Sequence, residues 1–296
     1  PGVRRARPRR LSRRRGSVDF HAMTAKLAGM PATAEPPARP RWWWFSLRRL
    51  VRPIALPVGF AAVILALWEF LIDVYRVPPV LLPAPSAIFA VLWRNLGQFI
   101  EHAQSTGLAC AAAFISGTAL GILAALVITY SAVVREMLYP NILIFQFIPK
   151  VALAPLFVVW FGIGGGARLG FAIFVSFFPV MISTSAGLVS VDRQVIRLCE
   201  ALTATRGQIF LHVRLPYAIP YIFSGMKIGV TMAMIGVIVG EFITAQEGLG
   251  YLILFATSRV ETAIVFASIA VLCGIGLVMY GVVLLLEGLI KRVYST

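Results

Sequence analysis

A run without a single Asp, Glu, Lys or Arg covers residues 102–134 and reads HAQSTGLACAAAFISGTALGILAALVITYSAVV. Two further runs of the same kind cover residues 169–191 and 262–286. A helix needs about 20 apolar residues to cross the hydrocarbon core of a bilayer. Each run is long enough, so the sequence predicts an all-α, polytopic membrane protein.

The composition of the whole chain agrees with this prediction. Its 296 residues are 59% hydrophobic and 13% charged, whereas soluble globular proteins are about 45–50% apolar and about 25% charged. This balance excludes an ordinary soluble enzyme and a disordered protein, and it indicates an integral membrane protein.

Six apolar segments are predicted to span the membrane. The segment 83–100 is too polar to cross, and we expect a short amphipathic helix there, on the membrane face or against the bundle. The third and fifth spans each contain one interior lysine, Lys150 and Lys227, and the prolines Pro149 and Pro155 are expected to break the third. The six predicted spans are 54–75, 105–130, 137–161, 167–190, 217–243 and 263–290.

Most of the net charge of +15 lies in residues 1–52, which carry 14 basic and 2 acidic residues. We interpret them as a flexible, Pro/Ala-rich cytoplasmic tail, and residues 53–296 as the membrane domain. Two alternatives stay open: translation starts at Met23, or the arginines bind anionic lipid or nucleic acid. We favour the tail and expect no nucleic-acid partner. Trp42, Trp43 and Trp44 are typical of an interfacial anchor.

The remaining charges predict the orientation of the chain. With the N-terminus in the cytoplasm, the inner segments hold 21 basic residues and the outer segments hold 4. Without the tail the ratio is still 7 to 4. Because cytoplasmic loops carry the excess of Lys and Arg, both termini are predicted to be cytoplasmic.

No catalytic set is visible in the sequence. The three histidines fall in unrelated contexts, and HExxH, GxSxG and paired-carboxylate patterns are missing. The glycine-rich stretch 162–166 lacks the Lys-Ser/Thr of a phosphate-binding loop. The cysteines Cys110, Cys199 and Cys273 show no metal or disulfide spacing and are interpreted as small hydrophobes. We therefore expect neither an enzyme nor a metal or cofactor site in this chain.

The loop between spans four and five, residues 191–216, has helical periodicity in two pieces. One face of the first piece carries Val195, Leu198, Cys199 and Leu202. Thr205 and Gln208 predict a capping box for a second short helix, which presents Phe210, Leu211 and Val213, and Pro216 is expected to end it. A basic helix-turn-helix on the cytoplasmic face is one interpretation. A surface loop with incidental amphipathicity is the other.

The same loop resembles the "EAA" loop of ABC-importer permeases. Residues 213–216 match the hydrophobic-x-Leu-Pro end of that motif, and residues 204–206 match its Ala-Ser-Arg. The first half departs from it, because Arg197 stands at the family glutamate and Thr203 at the family glycine. Further family motifs are Leu82-Pro83-Ala84-Pro85-Ser86, Pro149-Lys150-Val151-Ala152-Leu153-Ala154-Pro155-Leu156, Trp160-Phe161-Gly162-Ile163-Gly164, Phe177-Phe178-Pro179, Gly187-Leu188, Gly240-Glu241-Phe242 and Glu247-Gly248-Leu249-Gly250-Tyr251.

Over about residues 65–255 the chain is similar to permeases of the nitrate/sulfonate/taurine import group, which includes importers of pyrimidine precursors and riboflavin. The resemblance implies a type I importer fold and a bacterial inner-membrane location. It also implies a homodimer, an extracytoplasmic solute-binding protein and two cytoplasmic ATPase subunits that hold ATP and Mg²⁺. The loop would then contain a coupling helix seated on the ATPase, with contacts from Thr205, Arg206, Gln208, Phe210, Leu211 and Arg214.

Candidate residues within the membrane follow from charge and glycine spacing. We assign Lys150, Pro155 and Glu241 to the translocation path or a gate. Lys150 would attract an anion or, as we favour because the family carries it across differing substrates, pair with a carboxylate or with carbonyls at the dimer interface. Glu241 is a gate or interface residue, and Lys227 is structural. A dimer contact in span five is assigned to the GxxxG-spaced residues Gly225, Gly229, Gly236 and Gly240.

A small anion such as nitrate, a sulfonate or taurine is the first expectation for the solute. A vitamin precursor such as hydroxymethylpyrimidine or riboflavin is the alternative. An ATP-independent secondary transporter or channel is the rival of another class, but the sequence shows no clear internal repeat of the kind such transporters contain. An intramembrane enzyme is disfavoured by the missing catalytic set.

Overall fold

The computed structural model describes residues 43–244 and 246–294. Within these residues the chain forms eleven α-helices and no strand. A 3₁₀ turn at Lys150–Leu153 joins α4 to α5, and a π turn at Phe210–Arg214 joins α8 to α9. The helices are α1 Trp43–Tyr75, α2 Pro85–Arg94, α3 Leu96–Tyr130, α4 Ala132–Gln146, α5 Ala154–Phe161, α6 Gly165–Val189, α7 Arg193–Ala201, α8 Arg206–Ile209, α9 Leu215–Thr244, α10 Leu249–Ser258 and α11 Thr262–Tyr294.

The chain divides into two units, residues 1–61 and 62–296. In the first unit, the backbone of residues 43–61 is helical throughout. The predicted boundary between tail and membrane domain, at residue 52, falls inside α1 and stays a prediction. The predictions for the arginine-rich run, for Met23 and for Trp42 lie outside the described residues.

Five helices in the described part of the chain are long and apolar enough to cross a membrane, and the bent pair of α4 and α5 counts as a sixth when it is taken as one span. This agrees with the six predicted spans. The boundary of the second span is corrected from residue 105 to Leu96, because residues 96–104 continue the same helix. The buried ring of Phe99 anchors this first part of α3 among apolar side chains of other helices.

The predicted short helix at 83–100 is α2, which ends at Arg94 and lies against the bundle. Ile88 and Leu92 pack in a cluster with residues of α3, α10 and α11. Its N-terminus is held by Glu69 of α1, whose carboxylate accepts hydrogen bonds from the Ser86 backbone N–H at 3.0 Å and the Ser86 hydroxyl at 2.6 Å. The carboxylate thus satisfies a free amide at the start of the helix.

The core of the second unit is built by α3, α6 and α9. Small residues line their junction, among them Ala109, Cys110 and Ala113 of α3, Ala172 of α6 and Ala233 of α9. Cys110 is fully buried in this cluster, which confirms its interpretation as a small hydrophobe. Because these side chains are short, the three helix backbones approach one another closely.

The glycines assigned to a dimer contact take part in this same packing. A Cβ on Gly236 would lie 2.6 Å from the Ala172 Cα, and a Cβ on Gly240 would lie 2.9 Å from the Arg168 Cα. Gly225 and Gly229 likewise face residues of α6. The spacing correctly predicted a close helix approach, but the assignment to a second copy is corrected, since α6 of the same chain occupies this face.

Lys227 of α9 also has a partner within the chain. Its Nζ lies 2.6 Å from Glu287 of α11, and Lys291 contacts the same carboxylate at 2.8 Å. The three charges tie the first half of α9 to the last span. The structural role predicted for Lys227 therefore has a direct contact to support it.

Candidate functional sites

The loop 191–216 begins with a helix that ends in an unusual turn. Asp192 caps α7 by accepting a hydrogen bond from the Gln194 backbone N–H at 2.8 Å. At the other end, the N–H groups of Thr203 and Ala204 donate to the carbonyls of Glu200 and Cys199, both at 3.0 Å. This pair of bonds is a Schellman motif, in which the residue after the helix takes a left-handed conformation.

Thr203 is that left-handed residue, with φ of 63°. Glycine is the usual residue here because a Cβ makes the conformation costly, and β-branched side chains suffer most. The resemblance placed Thr203 at the family glycine and left the geometry of the turn in question. The structure shows that the turn forms and that threonine adopts the strained conformation in it.

The second helix of the loop, α8, starts at the predicted capping box. The Thr205 Oγ1 accepts from the Gln208 N–H at 3.4 Å, and the Gln208 Oε1 accepts from the Thr205 N–H at 2.8 Å. Both free amides at the helix start are thereby satisfied. The cap predicted from Thr205 and Gln208 is confirmed.

The start predicted for span five next to Pro216 agrees with α9, which begins at Leu215, but the interruption predicted before it is wrong. Instead of stopping at Pro216, the chain continues from α8 through the π turn into α9, giving one helical run from Arg206 to Thr244. The Leu215 N–H donates to the Phe210 carbonyl, one residue further back than in an α-helix. This restarts the hydrogen-bond register, so Pro216 lies in the first turn of α9, where its missing N–H costs little.

The loop presents its apolar side chains to solvent. Leu198, Leu202 and Leu211 are 61%, 72% and 57% exposed, and no residue of α7 is buried. Ile209 and Val191 are buried instead, with 5% and 7% exposed. The sequence analysis did not single out either residue, because it looked for contacts with a partner.

The charged residues of the loop lie beside this exposed surface. Arg206 is exposed, and Arg214 is half-buried, as is Phe210. Together these residues and the exposed leucines make an apolar surface bordered by positive charge. We call residues 193–214 the loop surface.

A second candidate site is the break between α4 and α5. The two helices meet at 91°, with Lys150 opening the 3₁₀ turn between them and Pro155 in the first turn of α5. The predicted break between Pro149 and Pro155 is therefore confirmed. Lys150 is half-buried, and its Nζ lies 5.4 Å from the centre of the Phe178 ring of α6.

A third site is a cluster of polar groups around Glu241, which we call the Glu241 cluster. Glu241 is 1% exposed. Its Oε1 lies 3.1 Å from Arg168 Nη1 and accepts from the Thr106 hydroxyl at 2.8 Å, while its Oε2 accepts from the Gly250 N–H at 2.8 Å. The members of the cluster are His102, Ser105, Thr106, Arg168, Glu241, Glu247, Gly248, Leu249 and Gly250.

The Glu241 cluster joins four helices. The Thr106 hydroxyl of α3 also accepts from the Leu249 N–H at 2.8 Å, so it links Glu241 of α9 to the start of α10. Arg168 brings in α6. These contacts place Glu241 between helices of one chain, and the two roles predicted for it, gate or interface residue, stay predictions.

Two members of the cluster show what signals the sequence offered. Gly248 has φ of 102°, and a Cβ there would lie within 3 Å of the Glu241 carboxylate. Glycine is therefore required at this position, and the Glu247-Gly248-Leu249-Gly250 motif is the sequence signal for this contact. Thr106 lies in an apolar run and gave no signal, because a hydroxyl in a membrane helix usually bonds its own backbone. Among the described residues, no group of three or more His, Cys, Asp or Glu side chains forms a metal site.

The arrangement described so far defines a class: a multi-pass membrane protein with one broken span and an ordered, exposed helical loop on one side. A family model described as "Binding-protein-dependent transport system inner membrane component" matches residues 117–292. The chain belongs to this family. It is the permease of an ABC importer, a transport subunit rather than an enzyme, and a multi-pass protein of the inner membrane.

Several curated proteins are similar to the chain. A probable ABC transporter permease of Haemophilus influenzae is 32% identical, with 78% of this chain and 93% of the relative covered. The riboflavin transport system permease of Chloroflexus aurantiacus is 32% identical over 83% of this chain and 93% of its own length. The taurine transport system permease of Escherichia coli is 32% identical over 79% and 86%.

A solved structure is also similar to the chain. A chain of the MetNI methionine ABC transporter, in inward-facing conformations, superposes with a TM-score of 0.47 at 19% identity, covering 66% of this chain and 96% of that one.

Proposed function

We propose that this permease imports a small solute as a homodimer that works with two ATPase subunits and a solute-binding protein. The ATPases bind ATP and Mg²⁺ and dock on the loop surface from the cytoplasm, and both chain termini lie on that side. The support for this orientation is the excess of basic residues on the loop side of the membrane.

The observation that carries the proposal is the exposed apolar side chains of the loop surface. Leu198, Leu202 and Leu211 each expose more than half of their area although the segments that carry them are ordered by caps and by the Schellman turn. An ordered surface that exposes large apolar side chains is typical of a protein interface. The surrounding arginines supply charge for orienting a partner.

The connection between the loop surface and the membrane supports a role in force transmission. Because α8, the π turn and α9 form one run of 39 residues, a displacement of residues 205–214 is carried along about 58 Å of helix. α9 has its most extensive contact with α6. Closure of the ATPases would thus move the α6–α9 pair as a unit and switch the path between inward- and outward-facing states.

The test is to place acidic residues on the loop surface. In Leu211→Asp and in Leu202→Asp/Leu211→Asp, we expect ATPase co-purification to fall at least tenfold, because a carboxylate would be desolvated in the apolar contact. Phe210→Asp/Leu211→Asp is expected to uncouple ATP hydrolysis from transport. A matched control is Val80→Asp/Leu81→Asp, which alters two exposed apolar residues of a different loop.

The measurement is the ratio of ATPase to permease after affinity purification from membranes, with monodispersity as the check on folding. The control variant should keep the wild-type ratio. If the loop variants keep it as well, the docking proposal is wrong. If the wild-type chain brings down no ATPase, the ATP-driven assembly itself is contradicted, and a secondary transporter or channel is favoured.

For the solute we propose a small anion of the nitrate, sulfonate or taurine kind. The taurine relative supports this choice, and the riboflavin relative supports the alternative of a vitamin precursor. We place the translocation path beside the broken span, with Lys150 and Pro155 facing it and Glu241 fixing the helices around it. The ligand of the solute-binding protein, found by thermal-shift screening, distinguishes the two classes.

A further inference from the structure

Two lysines, Lys150 and Lys227, lie in the interior of the spans, and among the described residues only Lys227 has a carboxylate partner. Arg168 pairs with Glu241 at 3.1 Å, and Lys227 pairs with Glu287 at 2.6 Å. Lys150 has no carboxylate within 4.0 Å in the described part of the chain; its recorded contact is with the ring of Phe178. Charged residues inside membranes are almost always paired or line a water-filled path, so an interior lysine without a carboxylate partner is expected to line such a path.

The ammonium group of Lys150 lies near the middle of a membrane helix. Phe178 is 13 residues from the start of α6 and 11 residues from its end, which corresponds to about 20 Å and about 17 Å along the axis. The Lys150 Nζ is 5.4 Å from the Phe178 ring. Lipid phosphates occupy the interfaces rather than this depth, so a lipid headgroup does not provide the counter-charge.

A second copy of the chain offers no carboxylate at this depth either. All ten carboxylates between residues 53 and 296 lie in loops or within seven residues of the end of a helix. Glu241 and Glu287 are already paired. The others are Glu69, Asp73, Glu101, Glu136, Asp192, Glu200, Glu247 and Glu261.

The surroundings of Lys150 suit a solute better than a fixed partner. An aromatic face attracts a cation but offsets only part of the cost of taking an ammonium group out of water. Phe178 also belongs to a group of rings with Phe174 and Phe177. Around Lys150 in the sequence, Ile144, Phe147 and Val151 stay more than half exposed, so the chain itself leaves these side chains of the break uncovered.

We propose that Lys150 is the mid-membrane counter-charge for an anionic solute, a sulfonate or a comparable small monoanion, which passes the broken span against the Phe178 ring. This inference rests on the proposed importer function and names the charge that its path requires. The solute replaces the missing carboxylate while it passes, and its negative group contacts Nζ.

The experiment uses the complete assembly of permease, ATPase and binding protein in proteoliposomes. Uptake of ethanesulfonate, taurine and riboflavin is measured with and without internal ATP, and the melting temperature of the assembly is measured in parallel. The variants are Lys150→Met and Lys150→Arg. The control is Lys227→Met, which removes a lysine whose carboxylate partner is known.

Lys150→Met should lower sulfonate uptake at least tenfold while the melting temperature stays equal or rises, because an unpaired charge is exchanged for an apolar side chain of similar length. Lys150→Arg keeps the charge and should stay within about threefold of wild type. Lys227→Met should lower the melting temperature and leave the preference for the anion intact. A variant that loses uptake but keeps its melting temperature has lost a contact with the solute, whereas a variant with a lower melting temperature has lost a structural pair.

Three results would overturn the inference. They are sulfonate uptake by Lys150→Met at the wild-type rate, a wild-type assembly that carries riboflavin and neither sulfonate, and a clearly lower melting temperature for Lys150→Met, which would reveal a fixed partner. In each of these cases ATP-dependent uptake by the wild type still supports the importer. If the wild type shows no ATP-dependent uptake of any solute, both proposals fall together.

Discussion

The two ends of the helical run 206–244 differ in how far their conspicuous side chains are covered by the rest of the chain. At one end, Glu241 is buried, and both of its carboxylate oxygens are used by other helices of the same chain. At the other end, Leu211 and its neighbours are ordered but exposed. At the Glu241 end the polar groups bond to other helices of the same chain, whereas at the Leu211 end large apolar side chains stay exposed.

This difference separates two kinds of conspicuous residue. Glu241 and the glycines of α9 stood out in the sequence, and all of them serve the internal packing of the permease. In the loop surface, Leu198, Leu202 and Leu211 keep most of their side-chain area exposed. A residue is free to act on a partner only where the chain leaves it uncovered.

The largest effect is expected at the buried end. Glu241→Ala leaves Arg168 buried without its counter-charge and leaves the Gly250 amide and the Thr106 hydroxyl without their acceptor, which should destabilise the permease by about 3–5 kcal/mol. Glu247→Ala is the matched control, because that exposed glutamate accepts a single bond, from Ser105 at 2.9 Å, and should cost under about 1 kcal/mol. Thermal unfolding of the purified protein measures both. Equal losses would contradict the buried role of Glu241.

A smaller effect is expected five residues earlier in the same helix, at Gly236. In Gly236→Ala the new methyl group would lie 2.6 Å from the Ala172 Cα, so α6 and α9 must separate at a cost of about 1–3 kcal/mol. Gly281→Ala in α11 meets nothing within 4 Å and should be neutral or stabilising by up to about 1 kcal/mol. The comparison of their melting temperatures, with the oligomeric state as a second readout, shows whether Gly236 serves packing or dimerisation. Loss of the dimer without loss of stability would restore the dimer assignment.

The smallest effect concerns the exposed end. Thr203→Gly relieves a left-handed threonine and should stabilise the turn by about 1–2 kcal/mol, seen as slower amide exchange over residues 199–204. Thr205→Ala removes the cap of α8 and should act in the opposite direction by about 1 kcal/mol. Faster exchange in Thr203→Gly would show that the hydroxyl bond from Thr203 to the Leu202 carbonyl outweighs the strain.

Local structure was predicted correctly where residues close together in the sequence determine it. The charge-free runs become spans because bilayer thickness sets their length, and the Thr205–Gln208 cap forms because both partners lie within one turn. The break around Pro149 and Pro155 follows from the missing proline amides. Pro216 does not interrupt the helical run, because the π turn before it restarts the hydrogen-bond register.

No local sequence pattern predicted the contacts between segments that are distant in the chain. The apolar runs, the capping box and the basic loop follow from residue order, since they depend on length, spacing and charge along one segment. Whether Gly236 faces its own α6 or another chain, whether Glu241 finds Thr106 from 135 residues away, and whether Lys150 finds a carboxylate depend on which helices become neighbours. Which helices become neighbours is decided by the packing of whole helices, because alternative helix pairs compete for the same few buried faces.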